Sequence, residues 1–166
     1  MESEWHGKSI LILGCGNWLC GDDGFGSAVA QRLSEDCDVP GHVHVLDVGT
    51  SVREILFDVI LSEEKPETVI IIDAVDCNRK PGELFHLDIE GLPHIKLDDF
   101  SMHQLPTSNL LRELRDLCGV EVVLVACQVQ DTSDEVRPGL SPTVDEAVGR
   151  AVTMLADKYI LSGSKT

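Results

Sequence analysis

The 166-residue sequence has no long apolar run, few basic residues, no paired cysteine motif and no low-complexity stretch. Each absence closes a class of function. No apolar run approaches the roughly 18 to 20 residues that span a bilayer, and residues 1–9 lack the apolar centre of a signal peptide. No membrane partner is expected, and the expected compartment is the cytoplasm. Only 13 Lys and Arg stand against 29 Asp and Glu, a formal charge of -16. Such a surface repels nucleic-acid phosphates and anionic membranes and suits a cationic metal or peptide, although acidity also serves plain solubility. The six cysteines, at 15, 20, 37, 77, 118 and 127, form no C-x-x-C pair for zinc or redox work. Reduced thiols, most of them small core residues, are expected. With neither linker nor repeat, the whole of 1–166 reads as one domain, long enough to bury roughly 70% of the surface its unfolded chain exposes.

What the sequence does have is five short runs rich in Val, Ile and Leu: SILILG at 9–14, HVHVLDVG at 42–49, ETVIIIDA at 67–74, GELFHLDI at 82–89 and VEVVLVAC at 120–127. The first, third and fifth are nearly continuous, as strands buried on both faces of a parallel sheet are. The second and fourth alternate, which suits edge positions. Helical patterns lie between them. Asp23 precedes GFGSAVAQRLSE, Ser51 and Glu54 suggest a capping box before VREILFDVILSE, and Thr107 or Ser108 can cap NLLRELRDL, with Leu110, Leu111, Leu114 and Leu117 on one face. Ser141 and Pro142 open a last helix running to about Leu161. The alternation predicts an α/β fold: a three-layer α/β/α sandwich around a mostly parallel sheet of about five strands. The turn DCNRKPG before the fourth run is too short for a crossover helix, so that run is free to pair antiparallel and make the sheet mixed.

Ligands in such folds bind beyond the carboxyl ends of the strands, where strand order reverses. Asp22 and Asp23 follow strand one, Asp73 ends strand three, and His103 falls in a predicted loop before the third helix. If strands one and three are neighbours, Asp23 and Asp73 flank the switch point and His103 can close over it. Two carboxylates and an imidazole make an oxygen and nitrogen site suited to a divalent metal such as zinc or nickel. Each residue also has an ordinary role. A helix-start aspartate caps orphan amides, Asp73 sits where turn-forming Asp is common, and a lone histidine is often a surface or core residue. One cap does not need two carboxylates.

A dinucleotide cradle, as in a nucleotide-binding oxidoreductase, fits GCGNWL badly. Leu19 replaces the third glycine, and Asp47 lies 28 residues beyond it, where about 20 is expected for the acid that holds a ribose. Gly14 and Gly16 more simply let the chain leave a buried strand, and Gly24 and Gly26 permit close approach of backbone or partner. Cys20 paired with His103 is a weak nucleophile candidate, because two neighbouring carboxylates oppose thiolate formation.

The run GNWLCGDDGFG at 16–26, followed by LDVGT at 46–50, IIDAVD at 71–76 and MHQLP at 102–106, resembles the hydrogenase maturation proteases over roughly residues 8–160. The resemblance implies an endopeptidase that removes a C-terminal extension from the nickel-loaded precursor of a nickel-iron hydrogenase large subunit. Asp23, Asp73 and His103 match the family's metal-contacting residues, the metal being nickel carried by the substrate, for which zinc or cadmium can substitute in crystals. Water is the expected attacker, with Asp73 or Asp23 handling its proton. Asp47, Gly49 and Thr50 match a segment lining the cleft and implied in substrate binding, although a strand end and turn explain them equally well. Val48 stands where many relatives have another glycine. The opening EWHGKSILILGCGNWLCGDDGFG is most similar to the branch serving hydrogenases that reduce the deazaflavin coenzyme of methanogens. A chaperone that holds the loaded subunit without cutting it is the alternative. The stretch QVQDTSDEVRPGLSP is expected as a mobile segment or a cover over the substrate tail.

Overall fold

The computed structural model describes residues 3–91, 101–130 and 135–161, and of residues 91 and 101–108 the backbone alone. Five strands form one sheet: β1 (Ile10–Cys15), β2 (Val43–Gly49), β3 (Thr68–Val75), β4 (Leu84–Leu87) and β5 (Glu121–Gln128), in the order β2-β1-β3-β5-β4. All neighbours pair in parallel except β4, which runs antiparallel to β5. The two alternating runs are therefore the two edges, and the three continuous ones fill the centre. The sheet is mixed because the connection from β3 to β4 contains no helix that could return the chain to the sheet's other end.

Among the described residues four α-helices cover the sheet: α1 (Phe25–Asp36), α2 (Val52–Leu61), α3 (Ser101–Asp116) and α4 (Pro142–Leu155), the last continued by a π-helical turn over Ala156–Ile160. Alternate residues of the central strands point to opposite faces. Ile12, Ile70, Ile72 and Val125 pack with Phe25, Val29 and Leu33 of α1 and Val144, Val148 and Leu155 of α4. On the other face Leu11, Leu13, Val69, Ile71 and Leu124 pack with Leu56 and Val59 of α2 and Leu111 and Leu114 of α3. Two apolar layers on one sheet explain why β1, β3 and β5 lack the polar alternation of a half-wet sheet. Each of these side chains, when fully buried, contributes about 1.5–3 kcal/mol.

Several local expectations are corrected. Helix α3 begins at Ser101, not after Thr107 or Ser108, so His103 is helical rather than in a loop, and Pro106 interrupts the backbone ladder without ending the helix. Leu117 is 77% exposed, because α3 stops at Asp116 and the chain turns away before Leu117 can join Leu114. Neither Ser51 nor Ser141 caps its helix with its side chain. Only Cys15 and Cys127 are buried; Cys20, Cys37, Cys77 and Cys118 are half-buried, and no disulfide joins any of the six. Among the described residues no helix is long and apolar enough to cross a membrane.

Candidate active site

Strands β1 and β3 lie side by side, with Gly14 opposite Ile72. The chain leaving β1 folds back on itself through a set of backbone contacts that admit no side chain. A β-carbon on Gly14 would lie 2.2 Å from the Gly26 carbonyl oxygen, and one on Gly16 would lie 1.8 Å from that of Asp23. One on Gly26 would meet the Ile72 and Cys15 carbonyl oxygens at 2.2 and 2.3 Å. The glycines thus seat the start of α1 directly on the tips of β1 and β3, and phosphate binding is not needed to explain them.

This seating decides where the two aspartates go. The 3-10 turn Gly21–Gly24 packs on β3, at whose carboxyl end Asp73 follows Ile72. Asp23, in that turn, is half-buried and accepts the Asn17 amide at 2.9 Å on Oδ2. Asp73, also half-buried, accepts the Ala74 amide at 2.9 Å on Oδ1. The structure therefore brings Asp23 and Asp73 to one edge of the sheet, at the β1–β3 boundary. His103 lies in the first turn of α3, and its side chain is outside the described residues. Among the described residues no group of three or more His, Cys, Asp or Glu is gathered to hold a metal ion. Carboxylate oxygens are donors that a divalent metal can accept, and the described residues supply two carboxylates at this edge.

The segment 47–50 reaches the same edge from the other side. Asp47 Oδ1 accepts the Gly49 amide at 3.1 Å, and the Gly49 carbonyl accepts the Gly16 amide at 2.9 Å. Gly49 has φ 54°, the left-handed conformation glycine takes most readily. The register between β1 and β2 shifts at this point, so Cys15 faces Gly49 rather than Val48. Thr50 is exposed beside it.

Asp22 has a different role from its neighbour. It is 3% exposed and accepts the Gln130 amide at 2.9 Å, the Ser141 amide at 2.7 Å and the Ser141 hydroxyl at 2.9 Å. One buried carboxylate thus joins the loop after β1, the end of β5 and the start of α4, and its three charge-assisted bonds offset the cost of burying it. The pair of adjacent aspartates was the signal in the sequence; the partners, more than a hundred residues away, were not readable there. Gln128, 4% exposed, does similar work at the tip of β5. Its Oε1 accepts the amides of Cys77 and Arg79, and its Nε2 donates to Asp76 and to the Val129 carbonyl. The sequence marks Gln128 only as the polar end of an apolar run.

Near Asp22 a cavity of about 220 Å³ opens, lined among others by Cys20, Gly21, Arg137 and Leu140. Cys20 pairs with Arg137 as an isolated parallel bridge, the Gly21 amide donating to the Arg137 carbonyl and the Arg137 amide to the Leu19 carbonyl, each at 2.8 Å. Cys127 is no nucleophile: burial first, and the Asp22 charge second, push its thiol up to about 12.

A family model described as hydrogenase maturation protease (HycI) matches residues 27–158. The chain belongs to the hydrogenase maturation protease family. A candidate member from Methanocaldococcus jannaschii is 38% identical over 149 residues, 89% of this chain and 94% of that protein. Coenzyme F420 hydrogenase subunit delta of Methanothermobacter thermautotrophicus is 35% identical, covering 95% and 98% of the two chains, which accords with the methanogen branch that the opening segment resembles. Among solved structures, the Escherichia coli hydrogenase maturating endopeptidase HybD matches 93% of this chain and 99% of its own, at 28% identity and a TM-score of 0.67. The maturation protease HycI of Thermococcus kodakarensis covers 92% and 94%, at 28% identity and a TM-score of 0.71. This maturation protease thus shares its mixed α/β architecture with endopeptidases along nearly its whole length.

Proposed function

We propose that this protease removes the C-terminal extension of a nickel-iron hydrogenase large-subunit precursor and recognises the nickel that the precursor carries. The observation that carries the reading is the placement of Asp23 and Asp73 at the β1–β3 switch point of a maturation-protease fold. The nickel is part of the substrate. Asp23, Asp73 and His103 are the residues assigned to it, and Asp47, Gly49 and Thr50 are assigned to the substrate chain beside it. A precursor without nickel offers those three residues nothing to hold and is spared.

Peptide hydrolysis needs a base to take a proton from water as its oxygen bonds to the scissile carbonyl carbon. The same proton then goes to the departing amide nitrogen as the C–N bond breaks. A carboxylate of the Asp23 and Asp73 pair does both, and nickel held beside it adds polarisation of the carbonyl. The backbone amides of Asn17 and Ala74 fix the two carboxylates in place, which limits the reorganisation required at the moment of attack.

The test is intact-mass spectrometry of nickel-loaded precursor before and after incubation. Wild-type protein shortens the C-terminus; Asp23→Asn, Asp73→Asn and His103→Ala each slow the loss by about 100-fold or more, the range for a positioned acid or base. Undiminished cleavage by Asp23→Asn and His103→Ala would refute the assignment. Equal cleavage of nickel-free precursor would refute recognition through the metal, and tight binding without any shortening would restore the chaperone alternative.

A further inference from the structure

We infer that the segment at residues 136–138 is an open docking edge on which an extended stretch of the precursor's C-terminal tail adds as a strand beside the cleft. This rests on the peptidase reading above. In the bridge to Cys20, both backbone groups of Arg137 are used on the side facing the loop, by the Leu19 carbonyl and the Gly21 amide. In an extended chain the neighbouring residues direct their backbone groups the opposite way. Val136 therefore presents an amide and a carbonyl outward, and among the described residues neither takes a backbone partner. Pro138 has no amide, so the outward edge offers Val136 as its one donor. A short, exposed edge of this kind is the template that strand addition uses.

The side chains around the edge are of the matching kind. Trp18 is 65% exposed, Leu19 38% and Val136 75%. Trp18 and Leu19 lie in the turn before Cys20, Val136 precedes Arg137 across the bridge, and Asp23 follows Cys20 by three residues in the 3-10 turn. The 220 Å³ cavity beneath the bridge is smaller than the roughly 300–1,000 Å³ of a small-molecule pocket. Its size suits one side chain of a bound peptide rather than a free metabolite. Charge selects the occupant further. Among the described residues Asp22 and Glu135 line the cavity against the single cation Arg137, Asp23 follows the loop, and the chain carries a formal charge of -16, so the balance is acidic. The edge accordingly fits a tail segment that is extended, apolar where it meets Trp18 and Val136, and flanked by basic residues.

Steady-state cleavage of nickel-loaded precursor tests this. Val136→Pro deletes the outward donor at an exposed position, and Trp18→Ala removes the exposed ring while keeping the β-carbon that packs near Gly24. Each raises KM about five- to tenfold, the value of one net hydrogen bond or a partly buried aromatic contact, with a smaller change in kcat. Leu61→Ser, at an exposed residue on the last turn of α2, leaves KM where it was. If Val136→Pro does not fold, as judged by its melting curve, Trp18→Ala carries the test. Unchanged KM in every folded variant overturns the docking edge alone and leaves the peptidase reading standing. Failure of the wild-type protein to cut the precursor overturns both.

Discussion

Replacing Gly26 with alanine would put a methyl carbon 2.2 Å from the Ile72 carbonyl oxygen, 2.3 Å from the Cys15 carbonyl oxygen and 2.7 Å from the Cys15 amide nitrogen. All three are backbone atoms in or at the ends of ladders that cannot yield separately. Ordinary contact begins near 3.4 Å, so α1 must withdraw by roughly 1 Å to make room. Withdrawal loosens Phe25, Val29 and Leu33, which are fully buried on that face. Overpacking costs about 1–3 kcal/mol, and the loosened contacts bring the total to the top of that range, about 3 kcal/mol. For a domain of this length that corresponds to a fall in Tm of roughly 6–12 °C. The same movement carries Asp23 away from β3, and a 1 Å misplacement costs about 100-fold in rate. Thermal and urea unfolding, paired with precursor cleavage, measure both effects. Gly41→Ala is the control, since nothing lies within 4 Å of its added carbon; it leaves stability unchanged or raises it by about 0.4–1 kcal/mol. A Gly26→Ala protein that melts within about 2 °C of wild type would refute the argument that the loop glycines exist to seat α1 on the sheet.

Asp22→Ala leaves the Gln130 and Ser141 amides without their acceptor, and urea denaturation should show a loss of about 3 kcal/mol, from bonds worth about 1.5–3 kcal/mol each when charge-assisted. A loss below about 1 kcal/mol contradicts the structural role given to Asp22. The Cys127 thiol is raised from 9.0 to about 12 in the fold, so its contribution to stability is complete below about pH 9 and is lost as pH climbs toward 12. Iodoacetamide at pH 9, followed by peptide mapping, should label the half-buried Cys20, Cys37, Cys77 and Cys118 well before Cys127; early labelling of Cys127 contradicts its burial.

Strand identity and sheet position were legible because burial on two faces forces continuous apolar residues, as in Val69–Ile72, while an edge tolerates alternation, as in Val43–Leu46. The sequence left the neighbouring of β1 and β3 as a condition; the structure meets it, and it is what makes Asp23 and Asp73 share an edge. Limits set in where long-range partners decide the outcome. The hydroxyl of Ser141 has the right position for a cap, yet it donates to Asp22, because a buried carboxylate competes better for it than the helix amides do. Leu117 fits the helical period of Leu110 and Leu114, yet the period says nothing about where α3 stops. The extra turns of α3 before Thr107 were hidden by Pro106, which reads as a helix boundary in a sequence and costs only part of the ladder in a helix. The convergence of Asp23 and Asp73 on one sheet edge was readable from their places after β1 and at the end of β3. Gln128 and the Arg137 bridge were not, since the Gln128 side chain meets partners about 50 residues away and the Arg137 bridge uses backbone groups that any sequence supplies.

The tie made by Asp22 also orders events in time. It joins residues 22 and 141, 119 positions apart, so closing it must overcome the entropy of a loop that includes most of the chain. During synthesis the amide of Ser141 leaves the ribosome long after β1, α1 and β3 have been made. Until then the loop carrying Asp23 lacks its deepest anchor, and it is held by the glycine contacts and by local bonds such as that from the Asn17 amide to Asp23. An incomplete chain therefore has its strands and its aspartates but not a fixed edge to the cleft, and the protease becomes competent only near the end of its own synthesis.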